Sequence, residues 1–156
     1  MTIAVTGANS SVGQKLLAHV VASGGIDVIA GVRSERAADS LPSSPHITRR
    51  IISYDVGELA EAMRGASCVV HLAGILIESK TSNYADANVA ATVSVVQASR
   101  TADVGHIVLI SVLGASPNSA NAFLRSKGDA ERAVAQSGIP ATIIRTPILL
   151  GPGTAG

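Results

Sequence analysis

The stretch Thr6-Gly7-Ala8-Asn9-Ser10-Ser11-Val12-Gly13 joins a short apolar run to a segment with the apolar spacing of a helix. Two glycines in such a turn predict a strand–turn–helix unit whose free N–H groups point at a diphosphate. Gly7 would allow the tight turn and Gly13 the close packing of helix on strand. Ser10 stands where a glycine would allow the closest approach, so its hydroxyl would either donate to a phosphate or weaken binding. The alternative is a plain tight turn capped by Asn9, Ser10 or Ser11.

The rest of the chain repeats this alternation of apolar runs and helical segments, which is typical of βαβ units around a buried parallel sheet. We predict an α/β fold with a doubly wound parallel sheet of about six strands. The predicted strands are Ile3–Thr6, Asp27–Val32, Thr48–Ser53, Cys68–Leu72, His106–Ser111 and Ala141–Arg145. The predicted helices are Ser11–Ser23, Glu35–Ser40, Gly57–Arg64, Asn83–Ser99 and Asn121–Ser137.

Two of these helices carry apolar stripes that would pack on the sheet. The stripes are Val12, Leu16, Leu17 and Val20 in the first helix and Val89, Val93 and Val96 in the fourth. In a doubly wound sheet the ligand crevice lies beyond the carboxyl ends of the strands. We therefore expect the functional residues just after each strand.

The composition excludes several classes of protein. With 156 residues, 47% of them apolar and 15% charged, the chain fits one folded domain and is too apolar to be disordered. A net charge of +1 and 2% aromatic residues argue against binding of nucleic acid. No stretch is long and apolar enough to span a bilayer, so we expect a cytoplasmic protein without a transmembrane segment.

The single cysteine, Cys68, has no partner for a disulfide bond or a zinc cage. It lies in the apolar run Cys68-Val69-Val70, so we interpret it as a small buried apolar residue rather than a reactive thiol. The sequence predicts no metal site.

The end of the second strand indicates which dinucleotide would fit the turn. A carboxylate there would bind the ribose 2′-OH of NAD, but the sequence has Arg33, which suits a 2′-phosphate. We therefore favour NADP over NAD, with Ser34 and Arg36 as further donors. The alternative is an arginine that simply faces solvent. Asp55, after the third strand, would accept a hydrogen bond from the adenine amino group or cap the next helix.

Several motifs, in their order and spacing, resemble those of a known superfamily. They are the glycine segment 7–13, His71-Leu72-Ala73-Gly74, Asn88-Val89, Ile110-Ser111, the run from Lys127 to Glu131, and Arg145 with Gly151-Pro152-Gly153. Together they resemble the extended and atypical short-chain dehydrogenase/reductases, and the resemblance implies an NAD(P)-binding Rossmann domain over residues 1–156. The segments 70–78 and 123–127 look most similar to the NADPH-binding accessory-subunit branch of respiratory complex I and its bacterial relatives.

The resemblance also implies roles for single residues. In active members a tyrosine exchanges a proton with the substrate while hydride moves to or from the nicotinamide, a serine orients the carbonyl and an asparagine holds a water. The resemblance assigns the serine role to Ser111 and the asparagine role to Asn88. Lys127 corresponds to the lysine that lowers the pKa of the tyrosine in those members, and Phe123 stands at the tyrosine position. Because a placed general acid contributes roughly 10²–10⁴-fold, its loss predicts slow carbonyl reduction at best. The expected cofactor contacts are Gly7, Asn9, Ser10, Ser11, Val12, Gly13, Arg33, Asp55, Ala73, Gly74 and Lys127.

Plainer explanations stand beside three of these interpretations. Lys127 is four residues from Glu131, so an exposed helical ion pair would account for both. Ser111 would cap the turn before Gly114. Tyr84, one turn before Asn88, is a possible but disfavoured replacement for the missing tyrosine. His71 receives no chemical role.

The sequence stops at Gly156, where related proteins continue into a substrate-binding lobe. We expect that lobe to be absent, the substrate side to be open, and apolar surface there to favour a homo-oligomer or a larger complex. The sequence thus predicts an NADP(H)-binding oxidoreductase domain with impaired hydride transfer and an unknown small-molecule substrate. The alternative is a non-catalytic accessory subunit or redox sensor. A sugar-nucleotide epimerase or dehydratase is a weaker third alternative because it also needs the missing tyrosine.

Overall fold

A parallel sheet with helices on both faces forms the centre of the molecule. The computed structural model describes residues 1–147. Its strands are β1 Thr2–Thr6, β2 Asp27–Val32, β3 Ile47–Ile51, β4 Cys68–His71, β5 His106–Val112 and β6 Ala141–Thr146. Their order in the sheet is β3-β2-β1-β4-β5-β6, and all neighbours are parallel. The order reverses between β1 and β4, so the predicted α/β doubly wound fold is confirmed.

The helices divide between the two faces of this sheet. They are α1 Ser11–Ser23, α2 Glu35–Asp39, α3 Val56–Ala62, α4 Ala91–Thr101 and α5 Ala122–Ala135, with a π-helical segment Ala85–Ala90 leading into α4. On one face α1 packs Leu17 and Val20 against β1 and β2. On the other face α3 and α4 pack on β1 and β4, and α5 packs on β5. The core is aliphatic, as the scarcity of aromatic residues requires.

Side-chain caps fix where four of the helices begin. Ser10, Ser34, Asp55 and Asn121 stand at the N-caps of α1, α2, α3 and α5, and each accepts a hydrogen bond from a backbone N–H of the first turn. Such caps satisfy donors that a helix start would otherwise leave unpaired. Each capped helix follows a strand of the sheet, so the caps also line the carboxyl edge where a ligand would bind.

The predicted stripe of α4 is wrong in part. Of Val89, Val93 and Val96 only Val96 is buried, and Val93 is 36% exposed. The buried positions of this stretch also include Asn88, Thr92 and Ser99. A π turn holds an extra residue compared with an α turn, so it shifts the helix face that meets the sheet. The polar residues tolerate burial because each makes a hydrogen bond.

Two further findings concern surface and burial. Cys68 is half-buried rather than fully buried, because it begins β4 at the amino edge of the sheet. Burial raises the pKa of its thiol.

Within residues 1–147 no helix combines the length and apolarity needed to cross a bilayer. The same residues contain no group of three histidine, cysteine or acidic side chains placed to hold a metal ion.

Candidate functional site

The turn after β1 can be built only with glycine at two positions. Gly7 has φ +69°, and a Cβ atom there would lie 2.8 Å from the backbone nitrogen of Ala73. At Gly13 a Cβ atom would lie 2.5 Å from the carbonyl oxygen of Ala8. Real Cβ contacts are not this short, so both glycines are required by packing. The turn therefore draws the ends of β1 and β4 together, as the phosphate-binding prediction demands.

Ser10 lies at the centre of this turn as the cap of α1. Its Oγ accepts a hydrogen bond from the Gly13 N–H at 3.0 Å, and its own N–H donates to the Gly7 carbonyl at 3.0 Å. The capping alternative therefore describes the structure. It leaves the Ser10 O–H able to donate to a ligand, because the oxygen acts here only as an acceptor. Ser11 and Val12 follow at the helix start and line a cavity described below.

A first cavity, called here the β2–β3 cleft, lies at the carboxyl ends of those two strands. It measures about 540 Å³ and is lined by Arg33, residues 52–54, residues 81–82 and one side of the π segment and α4. Arg33 is exposed and close enough to Tyr54 to lower the pKa of that phenol, although burial raises it overall. Arg33 thus lies just after β2 in the lining of a cleft, and its contact with a 2′-phosphate stays a prediction.

Asp55 has the capping role that the sequence left open. Its Oδ1 accepts a hydrogen bond from the Glu58 N–H at 3.0 Å, and its side chain is exposed. Asp55 does not line the β2–β3 cleft. Contact between Asp55 and an adenine stays a prediction.

A second cavity, called here the β5 cavity, lies between the ends of β4 and β5, the start of α1 and the first turns of α5. It measures about 220 Å³, and Ser111, Phe123, Lys127 and Gly74 all line it. These four residues come from distant parts of the sequence. The structure therefore brings together most of the side chains that the resemblance placed around a nicotinamide.

Lys127 is held in the wall of the β5 cavity by a backbone group. Its Nζ donates to the carbonyl oxygen of Ile110 at 3.0 Å. Burial lowers the pKa of Lys127 below its ordinary value, and the charge of Glu131 partly offsets this effect. The exposed Lys127–Glu131 pair is not formed, because Glu131 is buried and binds Arg145 through two hydrogen bonds of 3.0 and 2.6 Å.

Ser111 has a buried hydroxyl that the protein itself does not satisfy. The residue is 1% exposed, and within residues 1–147 its Oγ is the one buried side-chain polar atom without a hydrogen-bond partner. Burial alone would raise the pKa of the nearby Glu131 carboxyl, but Arg145 and, to a smaller extent, Ser111 lower it. The Ser111 hydroxyl nevertheless makes no hydrogen bond of normal geometry within residues 1–147. Unsatisfied buried groups are rare, so this hydroxyl is available to an oxygen atom of a ligand.

Asn88 fastens the loop after β4 to the rest of the site. Its Oδ1 accepts from the Ile75 N–H at 2.8 Å, and its Nδ2 donates to the Ile75 carbonyl at 3.1 Å and to Ser126 Oγ at 3.0 Å. Both amide N–H groups are thus in use, and the residue lies in the π segment. The structure gives Asn88 a positioning role, and the water-holding role that the resemblance implies stays a prediction. Its Oδ1 also lies 2.9 Å from where a Cβ on Gly74 would stand.

An aromatic pair stands at the entrance of the β5 cavity. The rings of Tyr84 and Phe123 have centroids 5.8 Å apart and are tilted by 52°. The Tyr84 hydroxyl donates to the carbonyl oxygen of Leu76 at 2.9 Å. Tyr84 therefore faces the same crevice as Phe123, with its phenol directed away to a backbone group.

Sequence reasoning missed a buried polar chain beneath the site. His71 is 1% exposed, with Nδ1 2.6 Å from the Thr6 hydroxyl and Nε2 3.0 Å from that of Thr92. Thr92 donates its proton to the Asn88 carbonyl, so it accepts from Nε2–H, and His71 is neutral. Burial, with a smaller effect of the Lys127 charge, lowers the pKa of His71 to about 3. The chain links the end of β1 to the π segment, a long-range contact that periodicity does not reveal.

Comparisons with known proteins agree with this geometry. The sequence profile of a family described as NAD(P)H-binding matches residues 7–156. The fold is similar to that of the oxidoreductase ylbE from Lactococcus lactis, at 18% identity over 93% of this chain and 68% of that one, with a TM-score of 0.76. It is also similar to a nucleoside-diphosphate-sugar epimerase from Staphylococcus aureus, at 24% identity over 93% and 50% of the two chains, with a TM-score of 0.75.

A third similar structure contains a dinucleotide. It is the Bordetella bronchiseptica enzyme WbmG in complex with NAD, at 19% identity over 93% of this chain and 52% of that one, with a TM-score of 0.75. This chain thus spans about half the length of the last two structures. At such low identity the likenesses establish the shared fold alone. No curated protein sequence matches the chain.

Proposed function

The chain belongs to the family of NAD(P)H-binding domains, and on that premise we propose that it binds NADP(H) in preference to NAD(H). The observation that carries the proposal is the position of the glycine turn between the β2–β3 cleft and the β5 cavity. A dinucleotide needs an adenosine site, a diphosphate site and a nicotinamide site in that order along the carboxyl edge of the sheet. The three features supply them in that order.

Arg33 supports the preference for the phosphorylated cofactor. Its guanidinium lies beside the cleft at the end of β2, where an NAD-selective protein would have a carboxylate for the ribose 2′-OH. A guanidinium binds a 2′-phosphate through charge-assisted hydrogen bonds. Hydroxyls of residues 81 and 82 line the same cleft and offer further hydrogen-bonding groups, whereas the hydroxyl of Ser53 already donates to Glu58 Oε2.

Calorimetric titration with NADPH and NADH tests this proposal. We expect NADPH to bind more tightly than NADH, and Arg33→Asp to weaken NADPH by roughly tenfold or more while NADH changes little. Arg64→Asp makes the same charge change at the far end of α3 and serves as the control. Equal losses for both dinucleotides in Arg33→Asp would refute the 2′-phosphate assignment, and no binding of either would refute the proposed function.

For the reaction, we propose a carbonyl oxidoreductase of short-chain dehydrogenase/reductase type with weakened chemistry. Bound NADPH would supply the hydride. The free Ser111 hydroxyl would orient the substrate oxygen, and Lys127 would bind the nicotinamide ribose. Phe123 leaves the position next to Lys127 without a proton donor, so turnover would be slow.

A non-catalytic role is the second candidate, and Phe123 is the observation that favours it. A dinucleotide-binding accessory subunit or redox sensor would need the glycine turn and Arg33 but no phenol. In that case NADPH at a hundred times its dissociation constant would stabilise the chain by about 2.7 kcal/mol and so raise the midpoint of thermal unfolding. No carbonyl compound would oxidise the bound NADPH. Turnover by the wild-type chain would exclude this role.

A further inference from the structure

We propose that the chain binds an apolar, uncharged small molecule at the entrance of the β5 cavity. The binding surface is a third cavity of about 470 Å³, called here the mouth, which is lined mainly by Leu76, Tyr84, Leu113, Phe123 and Leu124. The inference deepens the proposed function, on which it rests, because it names the substrate class for the same site. Nothing in the similar structures of epimerases would suggest an apolar substrate.

The mouth opens directly onto the candidate catalytic groups. It shares five lining residues with the β5 cavity, namely Leu76, Val112, Phe123, Thr146 and Pro147. The free hydroxyl of Ser111 and the Nζ of Lys127 lie on the inner side of this shared wall. A molecule in the mouth would therefore place one end beside the only unsatisfied buried hydroxyl of residues 1–147.

Several polar groups of the mouth are already used by the protein. The Tyr84 hydroxyl donates to the Leu76 carbonyl, and Asn121 Oδ1 accepts from the Leu124 N–H at 3.0 Å as the cap of α5. The Thr146 hydroxyl donates to the Ser111 carbonyl at 3.4 Å. No charged side chain of the described residues lines the mouth. What remains for a ligand is mostly aliphatic surface and two aromatic rings, with the side-chain amide nitrogen of Asn121 as a polar group.

Two of the exposed large apolar side chains lie at the mouth. Leu113 is 60% exposed and Leu76 is 53% exposed, although both lie at the rim of a cavity rather than on a flat surface. Apolar surface of this kind gains free energy when a ligand removes it from water. A nucleoside diphosphate would instead need cations, and Lys127, which lines the adjoining β5 cavity, donates to the Ile110 carbonyl. The lining therefore favours a ligand with an apolar body and one hydrogen-bonding oxygen.

Fluorescence titration with N-phenylnaphthylamine, a neutral dye that brightens in apolar surroundings, tests the inference on the full chain saturated with NADPH. We expect one dye molecule per chain and a roughly tenfold loss of affinity in Leu113→Asn and in Leu76→Asn. Ile51→Asn is the matched control, because Ile51 is 48% exposed on the edge strand β3, away from the mouth. This control should bind the dye as wild type does, and UDP-glucose should not displace it.

The outcomes separate the inference from the proposed function. Equal dye affinity in all variants, or displacement by UDP-glucose, would overturn the apolar-ligand site. Absence of dye binding together with a dimer in sedimentation that Leu113→Asn dissociates would overturn it in favour of a second copy of the chain. If NADPH fails to bind in calorimetry but the dye still depends on Leu113, the proposed function falls and the apolar site stands.

Discussion

The glycine turn and the β5 cavity differ in how far the fold itself needs their functional groups. Gly7 and Gly13 are required by packing, and the side chain of Ser10 is required to cap α1. In the β5 cavity the hydroxyl of Ser111 has no hydrogen-bond partner among residues 1–147, and Phe123 leaves out a phenol without disturbing the helix. A sequence that folds thus retains the geometry for a diphosphate, whereas nothing in folding preserves the proton donor. Binding of a dinucleotide is for this reason expected to outlast hydride transfer.

The largest expected effect comes from restoring the proton donor. Phe123 and Lys127 lie one helical turn apart and both line the β5 cavity, so Phe123→Tyr would place a phenol beside a lysine. We expect NADPH-dependent reduction of apolar aldehydes and ketones, followed by absorbance, to rise by about 10²–10⁴-fold. Such a gain would show that the β5 cavity lacks only the phenol oxygen that carbonyl reduction needs.

Tyr84→Phe is the control for this experiment, because it removes the phenol that already contacts Phe123. Because Tyr84→Phe keeps the ring that lines the mouth, we expect it to change the activity of the Phe123→Tyr chain far less than Phe123→Tyr itself changes that of the wild type. If Phe123→Tyr binds NADPH as tightly as wild type but reduces no carbonyl compound, the β5 cavity has lost more than the phenol, and the non-catalytic role is favoured.

The next effect tests whether the glycine turn is required for folding. Alanine usually stabilises a helix relative to glycine by about 1 kcal/mol. Gly13→Ala should instead destabilise the chain by about 1–3 kcal/mol in urea unfolding, because its Cβ would meet the Ala8 carbonyl oxygen, and it should abolish NADPH binding.

Gly57→Ala is the matched control in the first turn of α3, where a Cβ would meet only the side chain of Asp55 at 3.3 Å. Asp55 is exposed, and the oxygen that caps α3 needs to give by only a few tenths of an ångström, so we expect a change within about 1 kcal/mol in either direction. Similar losses in Gly13→Ala and Gly57→Ala would contradict the claim that packing alone fixes the turn.

The same contrast explains what could be predicted from the sequence. The glycine turn and the doubly wound parallel sheet depend on local spacing and on the handedness of βαβ units, and the fold class was predicted correctly. Pairings between distant segments were not. Glu131 is near Lys127 in sequence, but it accepts two hydrogen bonds from Arg145 of β6 instead. Likewise, the π turn before α4 has no apolar signature, so the buried Asn88 was not expected to bind Ile75.

Other predictions lie beyond what the described residues show. The Gly151-Pro152-Gly153 motif falls outside residues 1–147. The extent of the domain over residues 1–156 and the resemblance to the complex I accessory branch stay predictions, as does the cytoplasmic location. Side-chain patterns could not reveal the missing partner of Ser111, because an unsatisfied group is a property of the packed structure.

A third prediction concerns His71, which connects the two regions through Thr6 and Thr92. Its pKa is about 3 in the folded chain against 6.5 for the free side chain, so the unfolded chain binds a proton that the folded chain refuses. Stability is therefore complete above about pH 6.5 and falls as the pH decreases towards 3. We expect a loss of about 2 kcal/mol between pH 7 and pH 5 in urea unfolding.

The slope with pH, rather than the absolute stability, identifies the residue. His71→Gln should be less stable at pH 7 but should lose most of the dependence between pH 7 and pH 5. The pKa of Glu131 is lowered, so its stabilisation is complete above about pH 4.5 and is lost only at lower pH. It therefore does not affect the slope between pH 7 and pH 5. If the stability of His71→Gln still falls as steeply between pH 7 and pH 5, His71 is not the buried neutral histidine that causes the pH dependence.

The smallest effect separates a hydroxyl kept for a ligand from one kept for the fold. Ser111 and Ser126 are both buried, but Ser126 donates to the Phe123 carbonyl and accepts from Asn88, whereas Ser111 has no partner. Ser126→Ala should cost about 1–3 kcal/mol because it leaves buried groups unpaired, and Ser111→Ala should change stability by less than about 1 kcal/mol. In the Phe123→Tyr chain, Ser111→Ala should nevertheless lower carbonyl reduction. A large loss of stability in Ser111→Ala would show that the fold does use this hydroxyl, and the contrast between the glycine turn and the β5 cavity would then disappear.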